Sequence, residues 1–98
     1  MAIRVCVAQI SSILCDVAAN LAKMTIVVAE QAKACDVVVF PELFLIGYPT
    51  SYGEAQLAAT RDLCEIADGP SFQAVASLAR THGVAIVYGY GELDAGER

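Results

Sequence analysis

Residues 37–49 read VVVFPELFLIGYP, and they place one carboxylate, Glu42, inside an otherwise almost wholly apolar stretch. The run 37–40 is too short for a helix and too uniformly apolar for a half-exposed strand, so it predicts a buried, parallel β-strand. Pro41 has no amide hydrogen for a sheet ladder, so the strand is expected to end there. Glu42 is therefore expected just past the carboxyl end of a buried strand, where open α/β sheets bind ligands.

Glu42 itself has two interpretations. An ionised carboxylate is costly to bury unless it has a partner or a task, which favours a placed catalytic or structural acid. A turn carboxylate that simply follows a strand fits the same residues. The local sequence alone leaves both interpretations open.

The elements around this stretch predict an α/β layered fold. Residues 3–9 alternate as a strand, and apolar residues at helical spacing predict a helix over 17–34 with Asp16 as its N-cap. Residues 53–66 are weakly helical, and a second clear helix is expected from Pro70 to the residue before Gly83. The buried stripes are predicted at Val17, Leu21, Met24, Val28 and Cys35 in the first helix and at Phe72, Val75, Ala76 and Ala79 in the last. A third strand over 84–88 completes the order β-α-β-loop-α-α-β.

Composition limits the classes of partner. The 98 residues are 57% apolar and 17% charged, with a net charge of −5 and no basic cluster, which argues against a nucleic-acid partner. The four cysteines form no C-x-x-C pair, so no zinc site is expected. Since no signal peptide and no membrane-length apolar run is visible, we expect a cytoplasmic protein with reduced thiols and no membrane partner.

Several short motifs together resemble one known family. In chain order they are Ala8-Gln9, Asp16 with Asn20, Val39-Phe40-Pro41-Glu42-Leu43, Gly47-Tyr48-Pro49, Asp68-Gly69-Pro70, and Ala85-Ile86-Val87-Tyr88-Gly89 with Glu92. This series resembles the N-terminal part of the nitrilase superfamily, the carbon–nitrogen hydrolases, along essentially the whole chain. The Phe-Pro-Glu-Leu element is its most specific piece. Segments 68–70 and 88–90 look most like aliphatic amidases, whereas 47–49 also resembles the glutaminase domain of glutamine-dependent NAD synthetases.

The resemblance implies a fold and a chemistry. The fold would be part of an αββα sandwich, with residues 1–98 forming about the first third of a single hydrolase domain. Members hydrolyse amide, nitrile or carbamoyl substrates with a Glu–Lys–Cys triad and no cofactor. Glu42 matches the glutamate of that triad and would act as general base. Tyr48 matches a position that lines the substrate pocket, although an aromatic that packs on the core fits the same residue.

The resemblance also has a gap, because the triad lysine and cysteine lie downstream of this segment in relatives. Lys23 and Lys33 match nothing catalytic, and no cysteine here has the context of the nucleophile. We therefore expect the chain alone to be inactive. Two alternatives stay open: a non-catalytic interaction module that self-associates through uncovered sheet faces, and an unrelated α/β domain in which Glu42 is structural. Glu92 could orient backbone or side chains near the site, but we expect an exposed tail carboxylate. His82 is expected to lie at a helix end.

Overall fold

Three short strands and three helices alternate in the computed structural model, which describes residues 2–48 and 53–93. In chain order they are β1 (Val5–Val7), α1 (Val17–Gln31), β2 (Val37–Val39), α2 (Glu54–Asp62), α3 (Pro70–His82) and β3 (Ala85–Val87). This order confirms the predicted succession and the α/β class.

The three strands form one parallel sheet with β2 in the middle. Val38 of β2 lies between Cys6 and Ile86 in register. The N–H of Ala8 donates to the carbonyl of Val39, and the N–H of Phe40 to that of Val87, both at 2.8 Å, which extends the pairing past the strand ends. Both connections step to the next strand in the same direction, so right-handed crossovers put α1 and α3 on one face, where they pack together.

The core lies between this sheet and the two helices. Met24 and Val28 of α1, Val38 of β2 and Val75 of α3 are all buried, together with Phe44 from the segment after β2. The predicted stripe of α1 is confirmed at Met24, Val28 and Cys35. The prediction for Phe72 is wrong, since its ring is 45% exposed.

The helix ends follow local chemistry. Asp16 caps α1 as predicted, because its Oδ1 accepts the N–H of Ala19 at 3.0 Å. The helix ends at Gln31 rather than at residue 34, since residues 32–35 turn to bring Asp36 beside β1. There its Oδ2 accepts the N–H of Arg4 at 2.8 Å, and this bond and the guanidinium lower the pKa of Asp36. Gly83 ends α3 in the left-handed conformation, with φ of 65°.

The other face of the sheet is apolar and open in the described part of the chain. Val5, Val7 and Val87 share this face with Val37 and Val39, because strand side chains alternate. Val5 is 55% exposed, Val7 67% and Val87 52%. The described residues therefore form one sheet with α1 and α3 packed together on its other face, and a second sheet remains an expectation.

Candidate active site

Glu42 lies past the carboxyl end of the central strand, as the sequence predicted. The last ladder bond on β2 is made by Phe40, and Pro41 separates it from Glu42. The side chain of Glu42 is exposed rather than buried among its apolar neighbours. Its position is the sheet edge where α/β proteins place ligand-binding groups.

A tight turn holds Glu42, and we call residues 42–46 the Glu42 turn. The N–H of Phe44 donates to the carbonyl of Pro41 at 3.2 Å, and the N–H of Gly47 to that of Leu43 at 2.7 Å. Leu43 adopts φ of 53°, a left-handed conformation that costs a branched residue about 1–2 kcal/mol. Such a conformation persists only where the surroundings fix it.

The end of β3 approaches Glu42 closely. An ideal Cβ on Gly89 would lie 3.4 Å from both Cα and Cγ of Glu42 and 3.3 Å from the backbone nitrogen of Leu43. A side chain at residue 89 would therefore crowd the Glu42 turn. The glycine lets the segment after β3 pack directly against the backbone that carries the carboxylate.

Asn20 fixes the same turn from the side of α1. Its side chain is fully buried, and its Nδ2 donates to the carbonyl of Leu45 at 2.9 Å and to that of Ile13 at 2.7 Å. Its Oδ1 accepts the N–H of Ile13 at 2.7 Å. Sequence analysis named Asn20 only with Asp16 in the motif series and gave it no contact with the Glu42 turn. The available signal was a polar residue at buried helical spacing, one turn before Met24.

Tyr48 follows the Glu42 turn and is 58% exposed, so it does not pack into the core. It lines a shallow hollow with Leu43, Leu57, Arg61 and Cys64. Leu43, which follows Glu42 in sequence, and Tyr48 therefore line the same hollow. A role of Tyr48 in substrate binding stays a prediction.

Lys23, Cys35 and Cys64 each donate to a backbone carbonyl. All four cysteines are free thiols, and the Sγ of Cys64 contacts the carbonyl of Thr60 at 3.7 Å. The Nζ of Lys23 donates to the carbonyl of Ser11 at 2.9 Å. His82 lies in the last turn of α3, as predicted.

Glu65 was missed by sequence reasoning. Its carboxylate accepts the N–H of Ser71 at 2.8 Å and a further short hydrogen bond from the Ser71 hydroxyl, so it caps α3, whose N-cap Gly69 has no side chain. Burial, and then the charge of Glu65, raise the pKa of Tyr88. Glu65 therefore stabilises a helix.

Glu92 pairs with Glu65 in an isolated parallel bridge. Its side chain is exposed, as predicted, and Oε1 accepts the Tyr90 hydroxyl at 2.9 Å. That hydrogen bond raises the pKa of Tyr90. Glu92 is thus engaged with a neighbouring tyrosine.

Two wider features bear on the class of protein. Within residues 2–48 and 53–93, no cluster of three or more histidine, cysteine, aspartate or glutamate side chains is arranged to hold a metal ion. None of the helices in those ranges has the length and apolar character needed to cross a bilayer.

Comparison with known proteins agrees with the motif pattern. The carbon–nitrogen hydrolase family model matches residues 4–98. A protein of Pseudomonas protegens named "Hydrolase in pqqF 5'region" is 44% identical over 77 residues, covering 79% of this chain and 25% of the relative. A probable nitrilase of Schizosaccharomyces pombe is 36% identical over 88 residues, covering 86% of this chain and 30% of the relative. The aliphatic nitrilase of Rhodococcus rhodochrous is 31% identical over 102 residues, covering 95% of this chain and 28% of the relative.

Proposed function

Because this chain belongs to the carbon–nitrogen hydrolase family, we propose that it supplies the general base of a hydrolase and that this base is Glu42. The observation that supports the proposal is an exposed carboxylate on a fixed turn at the carboxyl end of the central strand. The chain spans only 25–30% of the length of the relatives it matches. The proposed activity therefore belongs to a longer polypeptide or assembly that contains this segment.

The proposed reaction is hydrolysis of a non-peptide C–N bond in an amide, nitrile or carbamoyl substrate. Glu42 takes the proton of a cysteine thiol, and the thiolate adds to the substrate carbon. A lysine stabilises the charge that develops on the tetrahedral intermediate. For an amide, Glu42 returns the proton to the leaving nitrogen, so that ammonia departs and a thioester remains. Glu42 then deprotonates a water molecule, which attacks the thioester; the C–S bond breaks, the acid leaves, and Glu42 returns the proton to the cysteine thiolate.

We propose that the lysine and the cysteine come from outside these 98 residues. Lys23 is engaged with a loop carbonyl, and the thiol of Cys64 is directed at the carbonyl of Thr60. Tyr48 is proposed as part of the wall of the substrate pocket, because its ring is exposed beside the Glu42 turn. The chain alone is accordingly expected to be inactive, and no cofactor is required.

The test replaces the matching segment of the Rhodococcus rhodochrous aliphatic nitrilase with residues 1–98 and measures ammonia release from short aliphatic nitriles and amides. We expect the chimera to be active and Glu42→Gln to lower kcat by at least about 100-fold, the usual scale for a general base. Glu30→Gln, at an exposed position on α1, is the matched control and should retain activity.

Two results would count against the proposal. A Glu42→Gln chimera that keeps its activity would remove Glu42 from the chemistry. Turnover of simple amides by the 98-residue chain alone, abolished by Glu42→Gln, would show that the outside lysine and cysteine are unnecessary.

A second candidate function is an interaction module without chemistry. The observation that favours it is the open apolar face of the sheet, where Val5, Val7 and Val87 are each more than half exposed. Contiguous apolar surface of this kind marks contact sites in soluble proteins. Self-association through this face is compatible with a catalytic Glu42, because the side chains concerned are different.

A further inference from the structure

Asn20 is the side chain that the proposed chemistry leaves unexplained. It is fully buried, and it interrupts the apolar stripe that α1 turns toward the core. Asparagine is a weak helix former, and a buried amide is unfavourable unless it is hydrogen-bonded. A hydrophobic residue would serve packing better at this position, so its polar atoms require a reason.

The three hydrogen bonds of Asn20 supply that reason. Oδ1 and Nδ2 pair with the N–H and the carbonyl of Ile13, both at 2.7 Å, as a second strand would. The remaining Nδ2 hydrogen reaches the carbonyl of Leu45 at 2.9 Å, 25 residues away in sequence. Both amide hydrogens are therefore used, and one side chain joins α1, the loop before it and the Glu42 turn.

The loop that Asn20 holds makes its own contact with the turn. The N–H of Cys15 donates to the carbonyl of Ile46 at 2.6 Å, next to the carbonyl that Asn20 holds. Two consecutive carbonyls of the Glu42 turn are thus fixed from the α1 side. Fixation of this kind is what the left-handed Leu43 requires, because the unfavourable conformation would otherwise relax.

We propose that Asn20 is a positioning residue: through the carbonyl of Leu45 and the loop at Ile13, it holds the Glu42 turn in the geometry that presents the carboxylate. This inference rests on the proposed role of Glu42 for its functional meaning. Its structural content, a turn that depends on one buried amide, is independent of that role.

The first test uses the unmodified chain. Scalar coupling across the hydrogen bond between Nδ2 of Asn20 and the carbonyl carbon of Leu45 is expected by NMR. Amide hydrogen exchange then compares the amides of Gly47 and Cys15, called the turn amides because they donate to carbonyls of the Glu42 turn, with the ladder amide of Phe40. In Asn20→Asp, which retains the acceptor for Ile13 but loses both donated bonds at neutral pH, protection of the turn amides should fall at least tenfold relative to Phe40.

Met24→Ala is the matched control. Met24 lies one turn further along α1 and is also fully buried, but no hydrogen bond links its side chain to the turn. Its truncation should lower protection of turn and ladder amides together. Asn20→Leu, which matches asparagine in the number and branching of its side-chain heavy atoms, should reproduce the Asn20→Asp pattern without introducing a charge.

The outcomes separate this inference from the proposed function. Equal loss of protection at turn and ladder amides in the Asn20 variants, or loss of folding in both, would overturn it, because Asn20 would then support the core in general. Absence of the coupling to Leu45 would also overturn it. In the nitrilase chimera, Asn20→Asp should lower kcat at least tenfold with a smaller change in KM. A Glu42→Gln chimera that remains active would refute the role of Glu42 while leaving the exchange pattern intact.

Discussion

Covering the open face of the sheet should drive weak self-association of the 98-residue chain, and lysine at Val5 and Val7 should abolish it. Both side chains point away from α1 and α3, and neither contributes to the core. The double variant Val5→Lys/Val7→Lys therefore places charge on this face without disturbing the packed side of the sheet. The partner expected to cover this face is a second copy of the chain.

The magnitude follows from exposure. Complete burial of a valine or isoleucine contributes about 1.5–3 kcal/mol, so covering a side chain that is more than half exposed contributes about 1 kcal/mol. Four such side chains are more than half exposed: Ile3, Val5, Val7 and Val87. Covering them contributes a free energy of about 4 kcal/mol per copy and about 8 kcal/mol for two copies. Association costs at least about 4 kcal/mol in lost freedom, so the remainder corresponds to a Kd of about 1 mM. Lysine at two positions per copy removes about 4 kcal/mol, which is the whole remainder.

The assay is sedimentation equilibrium combined with NMR diffusion, at chain concentrations from about 10 μM to about 1 mM, the range set by this Kd. The wild-type chain should show a rising average mass, and the double variant should stay monomeric. Ile26→Lys is the control, because Ile26 is 58% exposed on α1 and lies on the helical side of the sheet. It should associate like the wild type.

Two results would refute the reasoning. A wild-type chain that stays monomeric at the highest concentration would show that the open face does not drive association. Association that survives in Val5→Lys/Val7→Lys but is lost in Ile26→Lys would assign the contact to the helical layer instead.

Three further predictions concern stability and titration. Gly83→Ala should lower the free energy of unfolding by about 1–2 kcal/mol, because Gly83 has positive φ. Gly47→Ala should lower it further, because Gly47 also has positive φ and its added Cβ would lie 2.7 Å from the backbone of Leu14, whereas a Cβ on Gly83 meets nothing. Denaturant unfolding measures both free energies, and equal losses would contradict the packing argument. Folding lowers the pKa of Asp36, so the ionised carboxylate stabilises the fold above the unfolded pKa, and this stabilisation is lost as pH falls below about 4. The difference in Tm between wild type and Asp36→Asn should therefore shrink below that pH. A difference in Tm that stays constant would contradict the prediction. Glu65→Gln should lower the pKa of Tyr88, although burial should keep that pKa above the ordinary tyrosine value. Tyrosinate absorbance, with Tyr88→Phe as the reference, measures the pKa. An unchanged pKa would exclude the Glu65 charge as a cause.

The order of elements could be predicted because local signals mark it. Pro41 ends β2, Asp16 begins α1, and Pro70 with Gly83 bounds α3, each by chemistry that acts within a few residues. Phe72 was wrongly assigned to the core. Helical spacing predicts which face of α3 is buried but not how far the buried face extends, and the half-exposed ring of Phe72 lies at its edge.

The two polar residues whose roles sequence reasoning missed, Asn20 and Glu65, depend on contacts that only the folded chain makes. Asn20 reaches Leu45, 25 residues along the chain, and the partners of a buried amide are set by tertiary structure. Glu65 caps α3 through Ser71 from before the helix, in a segment positioned by its bridge to Glu92. The helical spacing of Asn20 marks it as a buried polar residue, but the partners of Asn20 and Glu65 follow no sequence period, so no local pattern could identify them.

The apolar run around Glu42 has a different meaning in the structure from the one its composition suggested. Phe44, Leu45 and Ile46 are buried, at 1%, 2% and 7% exposure, whereas Glu42 faces solvent. The apolar residues therefore anchor the backbone of the turn and do not surround the carboxylate. An anchored but solvated carboxylate has a fixed position, and strong electrostatic catalysis additionally requires that water be excluded and partner charges be preorganised around it. For the proposed role of Glu42, the rest of the active site must supply both, so Glu42→Gln should leave the fold of the chain unchanged and affect only the proposed chemistry.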